Sequence, residues 1–134
     1  MPSRVLLALA GGGLAAAIVA GVGFDVAMGQ LKTQARAAAL TGGDPGRGRE
    51  AIRLRACGGC HQIPGVAGAT GTVGPPLSGF LHRGYIAGRL PNAPENLKLW
   101  VRAPHTVDPQ TAMPETGVTP SEAADIAAYL YTLK

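Results

Sequence analysis

The sequence predicts an all-α fold. About three to five helices are joined by long loops that wrap a bound group, and an N-terminal transmembrane helix or signal peptide precedes them. Three observations predict it. Helix-start signals at Asp44-Pro45 and at Thr119-Pro120-Ser121-Glu122 frame the C-terminal part of the chain. Between them, residues 62–91 are crowded with Gly and Pro, hold no sustained period and show no strand alternation. An uncharged run, Val5 to Phe24, lies ahead of both.

That run sits between Arg4 and Asp25. As a helix it would be about 30 Å long, the thickness of a bilayer core. Its length favours an uncleaved anchor, whereas Ala27-Met28-Gly29 ahead of Gln30 offers a cleavage site for a secretory signal. Both readings stay open. Both send the rest of the chain across the membrane and leave Arg4 behind in the cytoplasm. A buried soluble helix is disfavoured, because Gly11, Gly12 and Gly13 would stand mid-helix at about 1 kcal/mol each against Ala. Residues 1–29 are therefore read as anchor or signal, 30–44 as a linker and 45–134 as the folded domain. Within the linker, Gln30 to Leu40 is Ala-rich and helical in expectation, until Thr41-Gly42-Gly43 breaks it.

In the domain, Asp44 caps a helix with Pro45 in its first position. Running to about Ala56, it carries Ile52 and Ala56 on one face and delivers the chain to Cys57. Asn92 is read as the cap of a second helix with Glu95 at its third position. Leu97, Trp100 and Val101 follow at helical spacing, and Pro104 ends it. Thr119 and Glu122 form the stronger capping signature. Beyond them Ala123, Ile126, Ala127, Leu130 and Leu133 make one apolar stripe.

Composition asks for something more than protein in the core. The chain of 134 residues has two Phe, three Tyr and one Trp, against 20 Gly and 11 Pro. So small a domain buries little by itself, and a bare loop as long as 62–91 is rare unless it packs on something. A wrapped prosthetic group answers both. The formal charge of +4 is spread along the chain without a basic block, which excludes the nucleic-acid binders. It reads as a mild bias toward acidic partner proteins or an anionic membrane surface.

The two cysteines stand in Cys57-Gly58-Gly59-Cys60-His61, the C-x-x-C-H pattern of covalent haem attachment. Two thiolates at this spacing add to the two vinyl groups on one porphyrin edge, and the next residue puts an imidazole under the iron. Gly58 and Gly59 are read as letting the backbone turn tightly against the ring. A thioredoxin-like disulfide needs a βαβ context, which is missing. A zinc site needs a second ligand pair, and His82 and His105 have unsuitable spacing for it. Attachment occurs outside the cytoplasm, in keeping with the export segment.

Four segments together resemble the class I, mono-haem cytochromes c over roughly residues 45–134. They are the haem motif, Gly74-Pro75-Pro76-Leu77, Thr111-Ala112-Met113-Pro114, and the closing Asp125-Ile126-Ala127-Ala128-Tyr129-Leu130. Leu90 to Leu97 also resembles the cytochrome domains fused to subunit II of some terminal oxidases. The resemblance implies one covalent haem c with His61 as one axial ligand and Met113, in its Met-Pro step, as the other. His105 is the alternative sixth ligand and would give a bis-His haem of lower potential. It further implies that the Pro75 carbonyl, rather than that of Pro76, takes the second imidazole N–H. Leu77 packs on the porphyrin in this reading, Arg83 lies near a propionate, and Trp100 lies against the haem. Tyr85 and Asn92 are further propionate candidates. The first and last helices cross in the family. Gly48 would allow that approach, with Ile126 and Tyr129 near Ile52.

A haem with both axial positions filled suits electron transfer rather than bond-making chemistry. The expected function is a carrier, membrane-tethered or periplasmic, on the periplasmic side of a bacterial inner membrane. It would take electrons from a quinol-oxidising complex or dehydrogenase and pass them to a terminal oxidase. A tightly bound haem subunit of a larger respiratory oxidoreductase is the alternative. An enzyme or gas sensor with an open haem would require Met113 to leave the iron.

Overall fold

The computed structural model describes the backbone of residues 2–134 and the side chains of residues 18–134. Among the described residues five α-helices follow in order: α1 (Pro2–Thr41), α2 (Pro45–Leu54), α3 (Pro94–Arg102), α4 (Pro104–Val107) and α5 (Pro120–Leu130). The chain divides into two units, residues 1–33 and 34–134.

In the first unit the described side chains belong to α1. Ile18, Val19, Val22, Phe24, Val26 and Leu31 are all exposed there. Residues 5–17 of the predicted span lie outside the described side chains. Among the described residues no helix is long and apolar enough to cross a membrane.

The second unit starts inside the stretch read as a linker. Ala37 and Thr41 are buried, so the last turns of α1 belong to the packed domain rather than to a free connection. Lys98 Nζ donates to the Thr41 carbonyl at 3.2 Å and so caps the end of α1.

Asp44 caps α2 as expected, its Oδ1 accepting from the Arg47 amide at 2.7 Å. The helix ends at Leu54, two residues short of the expected Ala56. Ala56 instead takes a left-handed φ of 55°, which costs a non-glycine residue about 1–2 kcal/mol and swings the chain out of the helix into a 3₁₀ turn at Cys57–Gly59. At α5 the capping box is complete: Thr119 Oγ1 accepts from the Glu122 amide, and Glu122 Oε2 accepts from the Thr119 amide. Its stripe is buried throughout, with Ala123, Ile126, Ala127 and Leu130 at 4% exposure or less and Leu133 just beyond the helix at 8%. Each buried Ile or Leu contributes about 1.5–3 kcal/mol.

α5 packs on both α2 and α3. Gly48 lets α2 approach closely, because a Cβ there would meet the Asp125 carbonyl. Ile52 is fully buried at this crossing. Asp125 ties it on the outside: its carboxylate accepts from the Asp44 amide at 2.7 Å and from Arg47 Nε at 2.9 Å. Burial pushes this carboxyl up, but the hydrogen bonds from Arg47 and from the Asp44 amide outweigh it and hold the group below its ordinary range.

Two further expectations are corrected. α3 begins at Pro94 with Ala93 in the capping position and no side-chain cap, so Asn92 does not cap it. The Asn92 side chain is turned to three tertiary partners: Phe80 O, Arg83 O and the Tyr131 hydroxyl. Residues 62–91 are also not free of strand. β1 (Tyr85–Ile86) and β2 (Leu90–Pro91) pair as a small antiparallel hairpin, and a 3₁₀ turn at Phe80–His82 precedes it. Pro104 ends α3 as expected and also opens the single turn of α4, where it is fully buried.

Candidate functional site

The 3₁₀ turn gathers the motif. The amides of Cys60 and His61 both donate to the Cys57 carbonyl, at 3.2 and 3.0 Å, so two thiols and an imidazole open onto one space. Of the two glycines in the turn only Gly58 is confined, and by the protein itself: a Cβ there would stand 2.7 Å from the Ala69 backbone, whereas one on Gly59 meets nothing. Among the described residues neither cysteine is in a disulfide. Burial pushes the Cys57 thiol up from its ordinary value.

The imidazole is fixed from behind. His61 Nδ1 lies 2.8 Å from the Pro75 carbonyl, not that of Pro76, which leaves Nε2 as the free ring nitrogen. Pro75 and Pro76 have no amide hydrogens, so their neighbours hold the segment: Gly74 N donates to Cys60 O and Leu77 N to Gln62 O, each at 2.8 Å. Gly74 must be glycine, since a Cβ there would fall 2.3 Å from His61 Cε1.

The space in front of His61 is a cavity of about 360 Å³, within the roughly 300–1,000 Å³ typical of cofactor pockets. Its walls are largely apolar, with Ile52, Ile63, Phe80, Leu97 and Ile126 among them. Met113 reaches it from the loop between α4 and α5, where its amide donates to Thr111 Oγ1 at 3.2 Å. Cys57, Cys60, His61, Pro75, Leu77, Arg83, Trp100 and Met113 all line this one cavity. Tyr85, Asn92 and His105 are not among its lining residues. Tyr85 is 63% exposed, Asn92 is spent on protein partners, and His105 Nδ1 faces Glu115 Oε1 at 3.1 Å.

Sequence reasoning missed several lining residues. Arg55 lines the cavity and pairs with Glu122 at 2.8 Å. A hydrogen bond from the Thr119 amide and another from Arg55 hold the Glu122 carboxyl down to about 2. Asp108 also lines the cavity and pairs with Arg89 at 3.2 Å. Phe80 is buried, meets Tyr131 edge-on at 5.9 Å and carries the Arg83 guanidinium 5.4 Å above its ring. Phe80 was discoverable as one of only two Phe in the chain. Nothing local marks Arg55 or Asp108.

The donor set and the cavity fit a haem c: paired free thiols on one wall, an oriented imidazole, a thioether sulfur and apolar walls. Among the described residues no group of three or more His, Cys, Asp or Glu gathers as a metal cluster.

A small helical domain whose C-x-x-C-H turn opens onto such a cavity has the architecture of a c-type cytochrome. The chain belongs to the cytochrome c family: the family model described as "Cytochrome c" matches residues 46–134. That membership implies haem-based electron transfer. Curated relatives include cytochrome c oxidase subunit 2 of Alkalihalophilus pseudofirmus (strain ATCC BAA-2126 / JCM 17055 / OF4), 36% identical over 90 residues, which cover 66% of this chain and 25% of that one. The protein of the same description from Bacillus sp. (strain PS3) is 36% identical over 89 residues, covering 63% of this chain and 25% of that one. The chain thus matches about a quarter of the length of these relatives. No solved structure matches.

Proposed function

We propose that the protein carries single electrons through one haem c bonded to Cys57 and Cys60 and held by His61 and Met113, and that it delivers them to a terminal oxidase. The observation that carries this reading is the convergence of both thiols, the Pro75-oriented imidazole and the Met113 side chain on one apolar cavity. A haem bound there supplies a one-electron ferric–ferrous couple. The chain's own residues do the rest. His61 and Met113 would hold its iron, and with both engaged no open site would remain for substrate. The apolar walls would limit water around the group, and a thioether ligand from Met113 would raise its potential. Arg83 and Arg55 place positive charge at the cavity.

The electron source in this reading is a quinol-oxidising complex or a dehydrogenase, and the site of action is the periplasmic side of a bacterial inner membrane. The uncharged run Val5–Phe24 would tether the domain there, or be removed after export. A tether raises the effective concentration at the partner, which suits small, transient redox encounters. The oxidase link is supported by what the relatives are called.

The test is turnover. Holoprotein kept reduced by excess ascorbate, added to oxidase-containing membranes stripped of their own cytochromes c, should restore oxygen consumption. Oxygen uptake no faster than in its absence overturns the proposed route. The second reading, a tightly bound subunit of a larger oxidoreductase, is favoured by the same relatives. Retention on the complex through a high-salt wash selects it, and release as free protein selects the shuttle.

A further inference from the structure

We propose that Asn92, oriented by Tyr131, is a positioning residue for the axial histidine, acting through Arg83 and the Pro75-Pro76 segment. The proposal rests on His61 being the iron ligand and goes beyond that assignment.

The Asn92 side chain spends both of its amide hydrogens inside the domain. Its Nδ2 donates to Phe80 O and to Arg83 O, both at 3.0 Å, and its Oδ1 accepts from the Tyr131 hydroxyl at 2.8 Å. These bonds close the 3₁₀ turn Phe80–His82 from outside and fix the direction in which Arg83 leaves it. The Asn92 amide donates to Gly84 O at 3.0 Å, which ties the next residue to the same hairpin arm.

From that turn Arg83 reaches back. Its Nη2 donates to Pro76 O and, at 3.3 Å, to Ser78 O. The target matters because of what the segment lacks. Two successive prolines carry no N–H, so no backbone donor ties down residues 75 and 76 themselves. Gly74 and Leu77 hold the two ends, and Arg83 is the side-chain clamp on the middle. The adjoining carbonyl, Pro75 O, is the one that faces His61 Nδ1 at 2.8 Å. A continuous path thus runs from Tyr131 through Asn92, Arg83 and Pro76 to Pro75 and the imidazole.

The strength of an N–H···O=C bond behind a ligating imidazole sets its basicity and hence the metal's potential. Loosening the clamp lengthens that bond, weakens the histidine as a donor and favours ferrous iron. Arg83 itself is a poor probe, because its removal also withdraws a positive charge and shifts the potential the other way. Asn92 and Tyr131 carry no net charge, so removing either leaves the charge at the cavity unchanged, and the His61 signal reports whether the effect on potential travels through geometry.

The experiment uses full-length holoprotein with ¹⁵N-labelled histidine. Wild-type ferrous protein should first show the His61 Nδ1–H as a slowly exchanging signal of an iron-bound imidazole. If no such signal exists, the ligand assignment itself has failed. Given that signal, Asn92→Ala should speed its solvent exchange at least tenfold, shift it upfield and raise the midpoint potential. Tyr131→Phe should move all three in the same direction by less. A melting temperature that falls while the His61 signal and the potential stay at wild-type values makes Asn92 merely structural and overturns the proposal. Should Asn92→Ala not fold, Tyr131→Phe, which removes one hydroxyl, decides by the same readouts.

Discussion

Gly48 lies directly against Asp125: a Cβ built on Gly48 would stand 1.9 Å from the Asp125 carbonyl oxygen and 2.5 Å from its carbon. The obstacle is backbone on α5, which cannot swing aside as a flexible side chain does. This contact sets how closely α2 and α5 cross, and the crossing carries Ile52 and Ile126 into the haem cavity.

Gly48→Ala should therefore push the two helices apart and cost about 1–3 kcal/mol or more. Gly84→Ala is the control, since a Cβ there meets nothing within 4 Å, and it should stay within about 0.5 kcal/mol of wild type. Denaturant unfolding of the two holoproteins checks this. Equal midpoints for both variants contradict the close crossing.

Gly74→Ala strikes the site more directly. The added methyl would fall 2.3 Å from His61 Cε1, so the ring must leave the Pro75 carbonyl. Protein matured with haem ligation machinery should hold less haem per polypeptide, or a haem whose His61 is displaced. Pyridine haemochrome against total protein measures the first, and the ferrous absorption spectrum reports the second.

Acid should weaken the fold through Glu122. Its carboxyl sits near 2 in the folded protein, against an ordinary value of 4.5. A group whose value is depressed by folding stabilises the fold above its unfolded value and loses that contribution as pH falls toward the folded one. The contribution of Glu122 is thus complete above about pH 4.5 and gone near pH 2. Glu122→Gln keeps a capping-box side chain and removes the charge. Melting temperatures followed from pH 6 to pH 2 should converge for wild type and variant as the pH falls, and parallel curves contradict the assignment.

Met113→Leu keeps the bulk of the side chain and removes the sulfur. Ferrous protein should then bind carbon monoxide rapidly, and the near-infrared Met-to-iron band of the ferric protein should vanish. His105→Ala removes the alternative ligand, which is exposed and faces Glu115. It should leave both spectra unchanged and cost under about 1 kcal/mol, as surface pairs do. Loss of the band in His105→Ala, with its survival in Met113→Leu, would reverse the ligand assignment.

Legibility followed the range of the physics involved. Asp44 and Thr119 were readable as caps because their partners, Arg47 and Glu122, are three residues away. Asn92 looked like a cap for the same residue-level reason. Its real partners, Phe80, Arg83 and Tyr131, come together only once the domain has folded. The hairpin was invisible because two-residue strands have no period to detect, and its turn places Ala87, which nothing marks as a turn residue, at a φ of 51°. At the site, Cys57 to His61 is a contiguous motif and reads directly. Arg55 and Asp108 line the same cavity through tertiary placement alone. The burial of Ala37 is illegible for a similar reason: it depends on the domain it meets, not on its own Ala-rich surroundings.

The most direct test of the central claim is the intact mass of the full chain, matured in a host with haem ligation machinery and denatured in acid. The account predicts polypeptide plus one haem, lost when Cys57 and Cys60 are both changed to Ala. A bare polypeptide mass, with all colour passing into the acid–acetone phase, would contradict it.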